Sequence, residues 1–161
     1  MNFRLRCWRA CVQEVEVASL VGLGDVVNVQ CCKAAFVHAL WQQFFAEGIS
    51  ARIPHQAASG EILAVYTDYE SDHTGNYTFA VTQPVTSLAD LSAELYAVTI
   101  PASRYLVFRA AGPMPMALIN TWLEIWQYFA EPGEHQRAYT CDFERHNPAE
   151  PDVVDIFVAV R

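Results

Sequence analysis

The chain has 161 residues, 53% hydrophobic and 17% charged, with a net charge of -8. That length makes one domain, or two small halves sharing a core. The acidic balance, with Lys33 as the only lysine, sets the chain against direct nucleic-acid binding and leaves cationic or neutral partners.

No apolar run reaches the roughly 18 residues of a membrane span. Arg4, Arg6 and Arg9 make the start basic, but Glu14 and Glu16 follow before any apolar signal core. The expectation is a cytoplasmic chain that uses no membrane. Cys7, Cys11, Cys31, Cys32 and Cys141 form an odd set without framework spacing, which suits a reducing compartment.

In chain order, residues 1–12 read as an N-terminal arm or edge segment. Glu14 to Val21 is rich in valine and partly alternates, which predicts a strand broken by Gly22-Leu23-Gly24. From Cys31 to Glu47 the spacing predicts a helix, since Val37, Leu40, Trp41 and Phe44 fall on one face and Gly48 supplies a stop. Glu61 to Glu70 and Tyr77 to Thr82 read as a hairpin across the turn Ser71 to Asn76. Tyr96 to Ile100 and Tyr105 to Ala110 read as a second hairpin around Pro101 to Arg104. Gly112 to Pro115 opens a second helix, with Leu118, Trp122, Ile125 and Phe129 on its apolar face and Pro132-Gly133 at its end. Arg137 to Glu144 and Val153 to Val160 make the closing hairpin.

The order repeats, with pseudo-repeats about 13–92 and 93–161. Asp68-Tyr69-Glu70 is matched to Asp142-Phe143-Glu144, and Phe79 to Val81 with Phe157 to Ala159. The fold class is α+β: two pseudo-symmetric strand-helix-strand-strand halves, an antiparallel sheet and two helices on one face. A groove between the helices is a natural small-molecule site.

Within Tyr139 to Pro148, Asp142 and Glu144 share one strand face, and Cys141 and Phe143 share the other. A carboxylate among apolar residues is costly unless paired. The partner of Glu144 is either an arginine (Arg145, Arg137 or Arg109) or a ligand. Asp142 and Glu70 read as bridging or solvated carboxylates. Trp41, Trp122, Trp126, Tyr66, Tyr77, Phe79, Tyr139 and Phe157 are divided between core and cavity, and aromatic faces attract cations by about 0.5 to 2 kcal/mol each. Trp122 and Trp126 stand one helical turn apart and face one groove. No histidine or cysteine spacing fits a metal site, and no glycine-rich phosphate loop or nucleophile elbow is present, so no metal and no cofactor are expected.

Val65 to Glu70, Gly75-Asn76-Tyr77, Val98 to Tyr105, Thr121-Trp122, Asp142 to Glu144 and Asp155 to Phe157 together resemble the GyrI-like effector-binding domains. These form the ligand-sensing half of AraC-type and MerR-type multidrug regulators and also occur as stand-alone proteins. The chain is especially similar to single-domain members carried on integron cassettes. The resemblance implies a paired strand-helix-strand-strand fold and a deep pocket for lipophilic cations. It also implies that the glutamate of an "FE" motif, here Glu144, answers the ligand's charge among tyrosines and tryptophans. No helix-turn-helix can be read before Val15, so DNA contact is expected only through a separate DNA-binding or target protein; a homodimer is left open. Two other functions stand beside binding. One is hydrolysis of electrophilic small molecules by Glu144 with Tyr77 or Tyr139. The other is inhibition of a macromolecular target.

Overall fold

The computed structural model describes residues 11–28 and 33–161. Their strands are β1 (Cys11–Val15), β2 (Ala18–Val27), β3 (Ile62–Thr67), β4 (Tyr77–Pro84), β5 (Tyr96–Ile100), β6 (Ser103–Ala111), β7 (Cys141–His146) and β8 (Val153–Ala159). The helices are α1 (Lys33–Ala46), α2 (Ile49–Arg52) and α3 (Met116–Ala130). The strands form one antiparallel sheet in the order β1-β6-β8-β7-β3-β4-β2-β5.

Two β-α-β-β units meet at the centre of this sheet, β2-α1-β3-β4 and β6-α3-β7-β8. They join through β3 and β7, where Ala64 stands across from Glu144 and Tyr66 across from Asp142. The outermost strands are exchanged. β1 precedes the first unit but pairs with β6, and β5 precedes the second unit but pairs with β2. Only Glu16 and Val17 separate β1 from β2, and only Pro101 and Ala102 separate β5 from β6. Such links span little distance, so the sheet curls until its two ends come close.

Side-chain alternation then makes two layers. Inside the curl lie Leu20, Val65, Ile100, Tyr105, Cys141, Phe143 and Phe157, with Phe143 stacked on Phe157 at 4.4 Å between ring centres. The outer face carries both long helices. Phe44 and Leu40 of α1 pack over Val21, Ala64, Phe79 and Val81. Ile125 of α3 packs over Leu106, Val154, Ile156 and Val158. Full burial of such a side chain stabilises by about 1.5 to 3 kcal/mol.

Five expectations change. Gly22 and Gly24 do not break a strand; β2 runs through both. A Cβ on Gly22 would collide with the Val81 carbonyl, and one on Gly24 with the Tyr96 ring, so these glycines permit close pairing. The predicted strand Glu14 to Val21 is split at Glu16 and Val17 between the two ends of the sheet. Tyr96 to Ile100 and Tyr105 to Ala110 are not a hairpin: each finds a longer partner, β2 and β8 respectively. Asp68-Tyr69-Glu70 is not equivalent to Asp142-Phe143-Glu144, because β3 ends at Thr67 and Asp68 turns away with φ 51°, whereas the second triplet lies inside β7. The last hairpin also starts later than predicted: Arg137 makes only an isolated bridge to Val160, and β7 begins at Cys141. The predicted start of the first helix at Cys31 and most of the N-terminal arm lie outside the described residues. Gly48, with φ 60°, does terminate α1.

Candidate functional site

The outer face of β3 and β7 forms the floor of a cleft between α1 and α3. Because Ala64 is the neighbour of Glu144 across the strand pair, that point of the floor is left open for side chains arriving from either side. Tyr66 Oη donates to Glu144 Oε1 at 2.8 Å, and Trp122 Nε1 from α3 donates to the same oxygen at 2.7 Å. His146, two residues along the same strand face, places Nε2 3.0 Å from Oε2. A carboxylate only accepts, so His146 serves here with a proton on Nε2. Glu144 is 2% exposed, and three donors satisfy it.

The arginines named as alternative partners are engaged elsewhere. Arg137 Nη2 donates to Asp142 at 2.6 Å, and Arg109 and Arg145 both bond Asp155, at 2.8 and 3.0 Å. Arg145 also approaches Glu61 at 3.9 Å. Asp142 is bridging and buried; it accepts from Arg137, from Tyr69 Oη at 2.7 Å and from the Ala159 backbone N–H. Glu70 is exposed and accepts the backbone N–H of Asn76. Among the described residues, the only charge-capable partner of Glu144 is therefore the imidazole of His146.

A cavity of about 470 Å³ opens between the helices. Val37 and Ala34 of α1 form one wall, and Ile119, Trp122, Leu123 and Trp126 of α3 the other. Tyr66, Tyr69 and Tyr77 form the floor, and Lys33, His73 and Arg137 complete the lining. Tyr66 sits 5.4 Å from Trp122 and 5.8 Å from Tyr77 between ring centres. Burial, then the neighbouring Glu144 charge, pushes the Tyr66 hydroxyl well above its ordinary pKa. Burial, then Asp142, does the same to Tyr69. Both phenols therefore remain protonated and donate to carboxylates. Burial opposes the charge of Arg137, but Asp142 beside it holds the guanidinium above its usual range.

A second cavity, also about 470 Å³, lies on the His146 side, with Trp41, Phe45, Met114 and Leu118 in its lining. The Trp41 ring meets His146 edge-on at 4.9 Å. Glu144 thus sits between two cavities, with Tyr66 and Trp122 on one side and His146 on the other.

The predicted aromatic set divides accordingly. Tyr66, Tyr77, Trp122 and Trp126 line the first cavity, and Trp41 lines the second. Phe79 is fully buried behind Tyr66, at 5.1 Å. Tyr139 lies behind the first cavity, 4.5 Å from the Arg137 guanidinium. Phe157 is inside the curl, on the opposite face of the sheet. Sequence reasoning did not single out Tyr69, Arg137 or His146 as site residues. His146 had a readable signal, since period two puts it on the face of Glu144. Arg137 had none, because it reaches Asp142 from an irregular segment. Among the described residues, no group of histidines, cysteines and carboxylates could hold a metal ion, and no helix is long and apolar enough to cross a membrane.

The profile of a family described as integron-associated effector binding protein (Cass2) matches residues 21–160. YobU of Bacillus subtilis (strain 168) is 33% identical over 130 residues, covering 78% of this chain and 79% of YobU. An integron cassette protein from the mobile metagenome of Vibrio cholerae is 26% identical with a TM-score of 0.67, covering 96% of this chain and 97% of that one. SAV2435, solved bound to tetraphenylphosphonium, has a TM-score of 0.80 at 19% identity over 95% and 94% of the two chains. EcmrR, solved in a complex with DNA, has a TM-score of 0.68 at 12% identity; the match covers 99% of this chain and 59% of EcmrR. The last two are likenesses of fold.

Proposed function

We propose a ligand class from one premise: the chain belongs to the integron-associated effector binding protein family. It is an effector-binding domain, and its effectors are lipophilic cations, held in the first cavity over Tyr66 and Trp122. One observation carries this reading. Glu144 is a buried carboxylate without an arginine or lysine partner among the described residues, set directly behind two rings of a cavity whose helix walls are apolar or aromatic. Its charge is delivered to the ligand side through Tyr66 and Trp122, whose N–H and O–H point at the carboxylate and whose faces are left for the cation. The tetraphenylphosphonium bound by SAV2435 is a ligand of this class.

A thermal-shift screen with tetraphenylphosphonium against triphenylphosphine oxide, a neutral phenyl-bearing comparator, tests the reading. At about 100 times its dissociation constant, a ligand stabilises by roughly 2.7 kcal/mol. Selective stabilisation by the cation is the expected result. Equal response to both compounds, or to neither, would refute it.

A second reading rests on the short Tyr66–Glu144 hydrogen bond. A tyrosine and a glutamate so placed can relay a proton: Tyr66, which lines the cavity, takes the proton of an attacking water as it gives its own to Glu144, the strained ring opens at the attacked carbon, and the released heteroatom is protonated from solvent. The tyrosine is Tyr66 in place of the expected Tyr77 or Tyr139. Recovery of an epoxide or aziridine probe unchanged after long incubation, compared by mass spectrometry with buffer alone, would eliminate turnover.

A further inference from the structure

The first cavity has opposite charges at the two ends of one aromatic wall. Glu144 receives the Tyr66 hydroxyl at 2.8 Å. The Tyr66 ring lies 5.8 Å from the Tyr77 ring. Lys33 Nζ, from the first turn of α1, stands 5.3 Å from the Tyr77 ring centre and donates to the His73 carbonyl at 3.3 Å. The sequence Glu144, Tyr66, Tyr77, Lys33 therefore runs from a buried carboxylate to a half-buried lysine along one surface.

Lys33 is the only lysine of the chain, and it has no carboxylate partner within ion-pair distance among the described residues. Nearby Asp72 is held by Thr74, and Glu70 by the Asn76 backbone N–H; neither lines the cavity. Arg137 also lines the cavity with a side chain only 4% exposed. Its Nη2 is taken by Asp142, but its Nε is buried without any hydrogen-bond partner. A buried N–H donor left open is uncommon. The fixed charges around the cavity thus balance, Glu144 and Asp142 against Arg137 and Lys33, and of the two cations only Lys33 lacks a carboxylate among the described residues. A purely cationic ligand meets Lys33 as a like charge. A ligand bearing an acid at the far end does not.

We infer that the cavity favours ligands of mixed charge: an apolar cation over Tyr66 and Trp122 joined to a carboxylate or similar anion that reaches Lys33. This rests on the cation reading above and adds the second end of the ligand. A lysine still open to solvent pairs weakly, worth up to about 1 kcal/mol, or roughly fivefold in affinity, so a modest preference is what the geometry supports.

The probes are (4-carboxybutyl)triphenylphosphonium and pentyltriphenylphosphonium, which share the cation and differ in the chain end. Titration calorimetry at low salt should show the carboxylate compound binding about three- to fivefold more tightly. The ratio should fall to about one in Lys33→Met, and also when the carboxylate is protected as its methyl ester. Equal binding of both phosphoniums to the unaltered protein, or a ratio that survives in Lys33→Met, overturns the inference and leaves the cation reading standing. Failure of both phosphoniums to bind removes the cation reading and the inference with it.

Discussion

Tyr66 and Glu144 stand on neighbouring central strands, β3 and β7, and Tyr66 Oη donates to Glu144 Oε1 across 2.8 Å. The bond crosses the junction between the two β-α-β-β units. Trp122 brings α3 to the same oxygen, and His146 brings the edge of the second cavity to the other. A single carboxylate therefore ties sheet and helix together.

Tyr66→Phe tests the structural side of that arrangement. The substitution keeps the ring and removes one donor from a buried charge. A hydrogen bond to a charged group contributes about 1.5 to 3 kcal/mol, and for a chain of this length each kcal/mol moves Tm by about 2 to 4 °C. Urea unfolding should show the loss as a lower midpoint with an unchanged slope. A midpoint equal to that of the unaltered protein would mean that Trp122 and His146 alone satisfy Glu144.

Alkaline titration gives a second measure of the same residue. The folded-state pKa of Tyr66 is raised above its ordinary value, first by burial and then by Glu144, and that of Tyr69 by burial and then Asp142. The folded state then holds these protons more tightly than the unfolded chain does. Their contribution is fully present below pH of about 10, the unfolded tyrosine value. It falls as pH rises towards the folded values, by about 1.4 kcal/mol per pH unit for each tyrosine. Urea unfolding between pH 9 and 11 should show this decline, and Tyr66→Phe should make it shallower. Parallel curves for the two proteins would contradict the assignment.

Much of this site is legible in the sequence because it depends on alternation. Asp142 and Glu144 on one face, Cys141 and Phe143 on the other, follow from period two, and the structure keeps that division. The helix face Leu118, Trp122, Ile125 and Phe129 was readable from its spacing, and it packs against the sheet. What the sequence did not reveal depends on distant pairing. The strands β5 and β6 look like a hairpin, because only two residues separate them, yet they pair with β2 and β8. Gly22 and Gly24 look like punctuation until Val81 and Tyr96 are seen against them. The three donors on Glu144 come from β3, α3 and its own strand, and no local pattern announces their convergence. Phe157 shows the reverse error: an aromatic beside the right motif, on the wrong face of the sheet.

Tryptophan emission should report on ligand and locate it. Trp122 and Trp126 line the first cavity, and Trp41 lines the second. A cationic dye seated in the first cavity should quench emission saturably, with most of the quenching lost in Trp122→Phe and little lost in Trp41→Phe. Loss in Trp41→Phe instead would transfer the ligand to the His146 side. Binding detected by thermal shift without any change in emission would place the ligand in neither cavity.

Glu144→Gln separates the roles of charge and shape. Glutamine keeps the volume of the side chain and keeps an oxygen for Tyr66 and Trp122, while its amide N–H donates to His146 Nε2, whose proton shifts to Nδ1. The fold should survive with a small change in Tm, because the buried charge that three donors had to satisfy is gone. Cation binding should not survive equally well. Removing one partner of a desolvated charge pair costs about 2 to 5 kcal/mol, at least tenfold in affinity, and the Tyr66 and Trp122 faces would retain only their own attraction for the ligand. Triphenylphosphine oxide has no net charge, so any affinity it has should stay nearly constant. Calorimetry of both proteins with tetraphenylphosphonium and with the oxide supplies all four values. A tenfold or greater loss confined to the cation is the expected pattern. If Glu144→Gln binds tetraphenylphosphonium as tightly as the unaltered protein, the carboxylate is a joint between α3 and the sheet, and the aromatic walls select the ligand without it. Equal losses for both compounds would show that the amide has reshaped the cavity, which circular dichroism in the aromatic region would register independently.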